Sequence, residues 1–411
     1  STMSAGSRGA RGGEGWGRLE ASDVTIRWGE QILAEGMSGT IRPELSLSSP
    51  EGHLRRGEAG WAARVPWETP VGSGVLTVSG ETILSARLEV ETARLAHRLL
   101  GPRPLPPAPL IVDATWDRRS QQVHGSTSIG EIHASFSGTA SIEPIHVRLD
   151  VQAPEVALVD LVGLFGDAIP EARSAEMAGH FSLALRAEGP PLSWSATLGA
   201  EGLAARDVIL NPERYAFGRL RGYEGPWTSI SKASMLSEAI IAAEDATFWT
   251  HPGYDVEALN VALSEVAANA ERPRGGSTLT QQLAKNLFLD GERTITRKLR
   301  ELLYALDLEH SLDKRRILEL YLNIVAFGPD IVGAHAASEA YFLKSTDQLM
   351  PQEAALLAAV LPSPHRWHGR IRRGQLPMTS ITRIVSNMVA TGALSPDVAR
   401  WSAVQRPVVV F

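Results

Sequence analysis

Residues 244–255 read EDATFWTHPGYD, and after an apolar-leaning stretch residues 274–286 read RGGSTLTQQLAKN. The first segment begins with the acidic pair Glu244 and Asp245, which follows directly on an apolar helical run. The second places paired glycines and hydroxyl side chains ahead of two amides and Lys285. A base, an anion cradle and a cation in this order indicate a site that moves a group whose leaving end carries phosphate.

Around this stretch the apolar residues recur with the period of a helix. Thr294 can cap one such helix, another runs from about Leu312, and Pro351 and Pro396 suit first-turn positions. Residues 226–402 are therefore predicted to be nearly all helical. The face that leads into Glu244 consists of Met235, Leu236, Ala239, Ile240 and Ala243.

From about residue 22 to 205 the dominant period is two, which is typical of strands with one polar and one apolar face. Pairs of Gly and Pro, as at residues 189–191, separate the strands at hairpin spacing. The Pro-rich residues 103–109 are expected to divide this sheet region into two sheet segments or two lobes, and residues 155–166 to form a short apolar helix between strands. Typical alternating runs are Val24, Ile26, Trp28; Ile132, Ala134, Phe136; and Val147, Leu149, Val151.

The length of 411 residues accommodates more than one domain. The predicted fold class is α+β multidomain: a flexible Gly- and Arg-rich tail at 1–20, an antiparallel sheet region at 21–210 and a helical domain at 211–411. With a net charge of -6 and no cysteine, the chain has no general attraction for nucleic acid, no disulfide and no thiol nucleophile. It contains no run of 18 or more apolar residues, so we expect any membrane anchor to lie outside this chain.

Each motif also allows a plainer interpretation. Glu244 and Asp245 could end a solvated helix, but an apolar helical face precedes them and a carboxylate beside apolar walls can act as a general base. The Gly-Gly-Ser-Thr turn could simply cap a helix, although the following amides and Lys285 favour an anion site. Arg297, Lys298 and Glu301 could form a surface ion-pair ladder.

Three motifs in this order resemble the peptidoglycan glycosyltransferases, family 51 of the glycosyltransferases. They are EDxxFxxHxG at 244–253, GGSTxTQQLxKN at 275–286 and RKxxE at 297–301. ILELYLN at 317–323 and EAALLAAVLPSP at 353–364 also agree with the family. The resemblance covers about residues 226–370.

This resemblance implies a helical, lysozyme-like fold and the polymerisation of lipid II into β-1,4 glycan strands with inversion. By motif position it implies that Glu244 is the catalytic base and Glu301 the second catalytic glutamate. Mg²⁺ or Mn²⁺ could neutralise the pyrophosphate, although no ligand spacing here demands a metal. The residues it assigns to substrate and diphosphate are Asp245, Ser277, Gln281, Gln282, Lys285, Arg293, Arg297 and Lys298.

The implied partners are lipid II, the growing glycan strand, membrane lipid and other cell-wall synthesis proteins, at the periplasmic face of the inner membrane. The sheet region resembles the AsmA-like envelope proteins in its short alternating strands, Gly-bounded turns and the order of VALVDLVGLFG (156–166) before AEMAGHFSLALRAEG (175–189). That family's strands build an open trough with an apolar lining.

Two other function classes remain open from the sequence. In a lipid-handling or scaffolding protein, the helical domain would bind substrate without catalysing a reaction. A lysozyme-like hydrolase would need an acid for the leaving sugar and would have no use for cations around a diphosphate.

Overall fold

The computed structural model divides into two compact units, which we call the sheet unit and the helical unit. The sheet unit comprises Ser1–Pro170, Gly179–Gly202 and Leu263–Pro273, and the helical unit comprises Glu171–Ala178, Leu203–Ala262 and Arg274–Phe411. The residues that the structure describes are 3–12, 19–28, 31–41, 45–48, 53–57, 60–69, 72–96, 100, 102–209, 226–268, 275–289, 291 and 294–410.

The sheet unit is built on an antiparallel meander of fourteen strands in which each strand pairs with its neighbour in sequence. A meander of this kind needs only hairpin connections, in agreement with the turn signals of the sequence. The strands are β1 (Met3–Gly12), β2 (Leu19–Trp28), β3 (Gln31–Ile41), β4 (Leu45–Ser48), β5 (His53–Gly57), β6 (Gly60–Thr69), β7 (Gly72–Gly80), β8 (Ile83–Ala93), β9 (Ala108–Asp117), β10 (Gln122–Ile129), β11 (Ile132–Ile142), β12 (Ile145–Ala157), β13 (Glu176–Gly189) and β14 (Ser193–Arg206).

The strand register separates an apolar face from a polar face, as the period of two predicts. On the apolar face Val151 lies opposite Phe136 and Leu185. On the polar face Asp150 accepts a hydrogen bond from Arg186 at 2.5 Å on the next strand. Helix α1 (Leu158–Gly163) follows β12 and confirms the short apolar helix expected within residues 155–166.

The strand pairing bears on two predictions for this region. Strands β8 and β9, which lie on either side of residues 103–109, pair with each other, so the sheet continues across this connector. The tail predicted over 1–20 contains β1, which pairs with β2. Strand pairing uses backbone groups, so a Gly-rich segment of low strand propensity can still pair where a neighbouring strand offers an edge.

The helical unit packs its helices around one apolar core, in which Leu236, Ile240, Leu283, Tyr321 and Leu356 are fully buried. Its elements are α2 (Ser234–Glu244), α4 (Leu279–Phe288), α5 (Ile295–Ser311), α6 (Lys314–Ile324), β15 (Ala326–Gly328), β16 (Ile331–Val332), α7 (Gly333–Phe342), α8 (Pro351–Val360), α9 (Pro364–Ile371), α10 (Met378–Ala390) and α11 (Pro396–Val404); helix α3 (Val256–Ala267) lies between α2 and α4 in sequence.

The local signals for these helices are the expected ones. Thr294 accepts a hydrogen bond from the backbone N–H of Arg297 and so caps α5. Pro351 and Pro396 occupy the first turns of α8 and α11. In the part of the chain that the structure describes, no helix is both long and apolar enough to cross a bilayer.

Candidate active site

Glu244 is held at the end of α2 by a chain of side-chain hydrogen bonds. The apolar face of α2 anchors the helix in the core, with Leu236 and Ile240 fully buried. The Glu244 carboxylate accepts a bond of 3.0 Å from the side-chain amide of Gln282 on α4. The Gln282 carbonyl in turn accepts a bond of 3.0 Å from the hydroxyl of buried Tyr321. The carboxylate therefore has a defined position, and Gln282 and Tyr321 form a donor chain that orients it.

Burial is the main influence on the protonation of this carboxylate and raises the pKa of Glu244 above its ordinary value. The Gln282 bond and the positive charges of Arg383 and Lys285 oppose this shift, while the charge of Asp245 adds to it. A carboxylate with a raised pKa is a stronger proton acceptor, which suits a general base.

Arg383 lies on α10, outside all of the motifs, and its positive charge acts on Glu244. On the same helix the side-chain amide of Asn387 donates to the backbone carbonyl of Ala242 at 2.9 Å. This bond ties α10 to the last turn of α2, where helix carbonyls otherwise lack an intrahelical donor. Four residues separate Arg383 from Asn387, so both belong to one stripe of α10.

Asp245 is buried beneath this turn instead of facing the cavity. Its carboxylate accepts from the Leu279 N–H at 2.7 Å and from Nε2 of His251 at 2.9 and 3.1 Å. The Gly253 N–H donates to Nδ1 of the same ring at 3.0 Å, so the ring proton lies on Nε2. Gly253 has a φ of +94°, a conformation that L side chains rarely adopt. These bonds join the end of α2 to the start of α4, and the contact of Asp245 with substrate stays a prediction.

The Gly-Gly-Ser-Thr turn caps α4 with a capping box. The Thr278 hydroxyl accepts from the Gln281 N–H, and the Gln281 side chain accepts from the Thr278 N–H, both at 3.2 Å. Thr278 also donates its hydroxyl proton to the Gly253 carbonyl at 2.8 Å. The N–H groups of Thr278 and Gln281 thus have protein partners, and Gln281 is buried in the cap. The contact of Gln281 with substrate stays a prediction.

A cavity of about 500 Å³ opens beside α4 and α5, and we call it the cationic cavity. Lys298 reaches across it from α5 and donates to the Ser277 hydroxyl at 2.7 Å and to Glu301 at 2.6 Å. Arg297 forms a second ion pair with the buried Glu301. The lining consists of Ser277, Gln282, Lys285, Asn286, Leu289, Gly291, Arg297, Lys298 and Glu301.

The cationic cavity suits an anion. Three cations on its lining face one carboxylate, and hydroxyl and amide groups supply further hydrogen bonds. Burial, together with the charges of Arg297 and Lys285, lowers the pKa of Lys298 to about 8. An anionic ligand would stabilise the charged form of this amine and would itself be held by it.

Six of the residues predicted from the motifs thus meet on the cavity: Ser277, Gln282, Lys285, Arg297, Lys298 and Glu301. Glu244 is joined to them through Gln282. Arg293 lies outside the described residues. Asn286 is the last residue of the second motif but was assigned no role, whereas Leu289 and Gly291 follow that motif in sequence.

The donor set does not fit a metal held by protein ligands. Among the described lining residues the carboxylate is that of Glu301, whose oxygens are paired with Lys298 and Arg297. Divalent magnesium and manganese prefer several oxygen ligands, whereas this lining supplies mainly cations and amides. No group of three or more His, Asp or Glu side chains converges elsewhere in the described part of the chain. We therefore derive no step through a metal.

Comparison with known proteins places the site within a characterised domain type. A family model described as Transglycosylase matches residues 218–388. A biosynthetic peptidoglycan transglycosylase of Alcanivorax borkumensis is 46% identical over 160 residues, which are 38% of this chain and 65% of that relative. A protein of the same name from Rhodopseudomonas palustris is 42% identical over 166 residues, covering 40% of this chain and 71% of the relative. The chain thus spans 65% of the length of the first of these relatives.

Proposed function

The chain belongs to the peptidoglycan transglycosylase family, and from this premise we propose that it polymerises lipid II into β-1,4-linked glycan strands and releases undecaprenyl diphosphate. The observation that carries the proposal is the placement of Glu244, a carboxylate of raised pKa, one amide away from the cationic cavity. This arrangement supplies a base on one side and charge stabilisation for a leaving group on the other.

In the proposed reaction Glu244 accepts the proton of the 4-hydroxyl of the acceptor sugar. The hydroxyl oxygen forms a bond to the anomeric carbon of the donor while the bond from that carbon to the diphosphate oxygen breaks. The electron pair of the broken bond leaves with the diphosphate. A single displacement of this kind inverts an α-linked diphosphate to a β-linked glycan.

The cationic cavity would hold the departing diphosphate. Lys285, Arg297 and Lys298 supply positive charge where negative charge accumulates, and Ser277 supplies a hydroxyl beside Lys298. Glu301 would orient two of these cations, because Arg297 and Lys298 both pair with it. By motif position we also assign Arg293 to the diphosphate.

Hydrolysis of glycan strands is the less suited reaction. A hydrolase must protonate a sugar oxygen as it leaves, and cations around that oxygen would not help this step. Three cations on one lining instead favour a leaving group that carries its own negative charge. Retention of the domain for binding alone would be supported if lipid II bound without being polymerised.

The direct test incubates the full chain with labelled lipid II. Lysozyme-sensitive polymer together with free undecaprenyl diphosphate is the expected result. Soluble fragments released from purified sacculi, with no polymer from lipid II, would instead support hydrolysis. Tight binding of lipid II without either product would support the scaffolding alternative.

Arg383→Gln is expected to move the acid limb of the pH profile to higher pH. Burial raises the pKa of Glu244, and Arg383 is one of the groups that oppose the shift. Its removal therefore raises this pKa further, so the base form appears only at higher pH. The measurement is kcat/KM for lipid II against pH, with Arg383→Lys as the charge-retaining control. An unmoved limb in Arg383→Gln would exclude an electrostatic role for this residue.

Affinity for undecaprenyl diphosphate is expected to fall as the pH rises through about 8, which is the pKa of Lys298. Burial is the largest cause that lowers this pKa. The protonated amine attracts the diphosphate, so its contribution is complete below that pH and is lost above it. Titration calorimetry in detergent micelles across this range measures the effect. Lys298→Arg should keep affinity constant over the same range, since guanidinium stays charged. A wild-type affinity that does not change would contradict the assignment.

We propose further that the helical unit has the lysozyme-like fold of its family and acts at the periplasmic face of the inner membrane. The partners would be lipid II, the growing strand, membrane lipid and other cell-wall synthesis proteins. The family relationship supports this location, and the charge of -6 on the whole chain gives no attraction to nucleic acid.

For the sheet unit we propose an AsmA-like domain whose apolar face contacts lipid chains. The register that aligns Val151 with Phe136 and Leu185 supports this assignment, since a row of apolar side chains crosses neighbouring strands. Val151→Asp should reduce the phospholipid that copurifies with the chain. Equal phospholipid in variant and wild type would count against the domain assignment.

A further inference from the structure

Glu171 is a buried carboxylate that lies far from every motif in the sequence. It belongs to a short 3-10 turn, Pro170–Arg173, which precedes β13, yet residues Glu171–Ala178 cluster with the helical unit. Only 8% of Glu171 is exposed. It precedes by 47 residues the start of the family match at residue 218.

The partners of Glu171 are both on α5. Nε of Arg300 donates to the two carboxylate oxygens at 2.9 and 3.0 Å, and a terminal guanidinium nitrogen donates at 2.5 Å. The Tyr304 hydroxyl donates to the same carboxylate at 2.7 Å. A forked guanidinium contact of this kind fixes direction as well as distance.

Tyr304 continues the contact from α5 to α4. Its ring stacks on Phe288 with centroids 4.5 Å apart and an interplanar angle of 20°. Phe288 is the last residue of α4. Burial and the bond to Glu171 raise the pKa of Tyr304, so the phenol stays protonated and remains a donor.

These two helices carry most of the cationic cavity. Gln282, Lys285 and Asn286 come from α4, while Arg297, Lys298 and Glu301 come from α5. Arg300 follows Arg297 by three residues and Tyr304 follows Glu301 by three, so each contact with Glu171 lies one turn from a cavity residue. A shift of α5 at Arg300 would therefore move the cations that face the cavity.

Resting on the proposed function, we propose that Glu171 is a positioning residue for diphosphate binding, supplied by the chain ahead of the catalytic family domain. It acts through Arg300 and Tyr304 by holding α5 against α4. Removal of the carboxylate would leave a partly buried guanidinium without its bidentate partner, which favours displacement of the helix. The cationic cavity would widen while Glu244, held through Gln282 and Tyr321, would keep its own partners.

Glu171→Gln in the full chain tests the proposal. The variant keeps the side-chain shape and loses the charge. We expect KM for lipid II and the Kd for undecaprenyl diphosphate to rise about tenfold, which is less than the roughly hundredfold cost that a misplacement of about 1 Å can have. We expect kcat to change less than twofold. The matched control is Glu176→Gln, an exposed carboxylate five residues away, which should behave as wild type.

Unchanged KM and Kd in a folded Glu171→Gln protein would overturn the proposal. If that variant fails to fold, Tyr304→Phe removes one bond to the carboxylate and should raise the Kd by a smaller factor; an unchanged Kd there would also overturn it. Where both variants fold, their double mutant should show less than the product of the single effects, because both act through one network. A wild type that makes no polymer would refute the proposed function, while the Kd measurement would still decide the role of Glu171.

Discussion

Glu244→Gln is expected to reduce lipid II polymerisation by roughly 10²- to 10⁴-fold, the range that general acid–base groups contribute. Glutamine has the same shape, and its carbonyl can still accept the 3.0 Å bond from Gln282. The site would therefore keep its geometry and lose only the proton acceptor. The loss should appear in kcat, because the base acts in the chemical step and not in holding the diphosphate.

The matched control is Glu238→Gln, which removes another partly buried carboxylate from the same helix. It should polymerise lipid II at a rate close to that of wild type. The Kd of Glu244→Gln for undecaprenyl diphosphate should stay within a few-fold of wild type, since the cationic cavity is unchanged. Equal polymerisation by Glu244→Gln and wild type would remove Glu244 as the base.

The local parts of this site could be predicted from sequence because they depend on residues close together in the chain. The apolar period ending at Glu244 predicted α2, and the capping signal at Thr294 predicted the start of α5. The plainer interpretation of the Gly-Gly-Ser-Thr turn, a helix cap, agrees with the start of α4. Each signal reflects a backbone requirement that is met within one helical turn. The motif order then placed the cations of α4 and α5 with Glu244.

The contributions that the sequence could not reveal come from long-range contacts. Arg383 acts on Glu244 from α10, and Glu171 reaches α5 from the segment before β13. Neither residue has a local pattern that distinguishes it from a solvated charge. Pairings at such sequence separations depend on how helices pack, which side-chain periodicity does not specify.

Asp245 and Gln281 illustrate a different limit. Both residue types suit ligand binding, and both stand inside the motifs. Their polar atoms are instead taken up by Leu279, His251 and Thr278, because the start of α4 is buried and needs acceptors and donors of its own. A motif position therefore does not by itself distinguish a residue that contacts substrate from one that supports the residues that do.

In the sheet unit the period of two predicted the strands, but it did not predict which strands pair with each other. The Pro-rich residues 103–109 looked like a boundary, although β8 and β9 pair across them. A stiff connector limits the path of the chain and does not prevent the strands at its two ends from meeting. Pairing of β1 with β2 likewise depends on the neighbouring edge more than on composition.

Asp245→Asn is expected to lower the free energy of unfolding by about 2–4 kcal/mol, the cost of leaving one or two buried polar groups unpaired. The substituted side chain has one oxygen in place of two. An amide oxygen in the place of Oδ2 could accept from both the Leu279 N–H and the protonated Nε2 of His251, but the NH₂ group in the place of Oδ1, 3.1 Å from Nε2, would then meet a donor and have no acceptor. Moving the ring proton to Nδ1 would instead set it against the Gly253 N–H, which donates to that nitrogen at 3.0 Å. Neither tautomer satisfies every buried group.

The measurement is urea unfolding of the helical unit within the full chain, with Asp255→Asn as the control. Asp255 accepts from the Ala258 N–H at 2.8 Å in a helix cap, where asparagine caps about as well as aspartate, so Asp255→Asn should cost less than about 1 kcal/mol. A cost for Asp245→Asn no larger than that of the control would show that the buried network tolerates an amide.

The same substitution also has a signature in the pH profile. Burial is the main cause of the raised pKa of Glu244, and the charge of Asp245 adds to it. Removing that charge should lower the pKa of Glu244 and move the acid limb of kcat/KM to lower pH, opposite to the shift expected for Arg383→Gln. Arg383 lies on α10 and Asp245 directly follows α2. Opposite shifts from these two residues would identify Glu244 as the group that titrates, because a general loss of packing would move the acid limbs of both variants in the same direction or leave both unmoved.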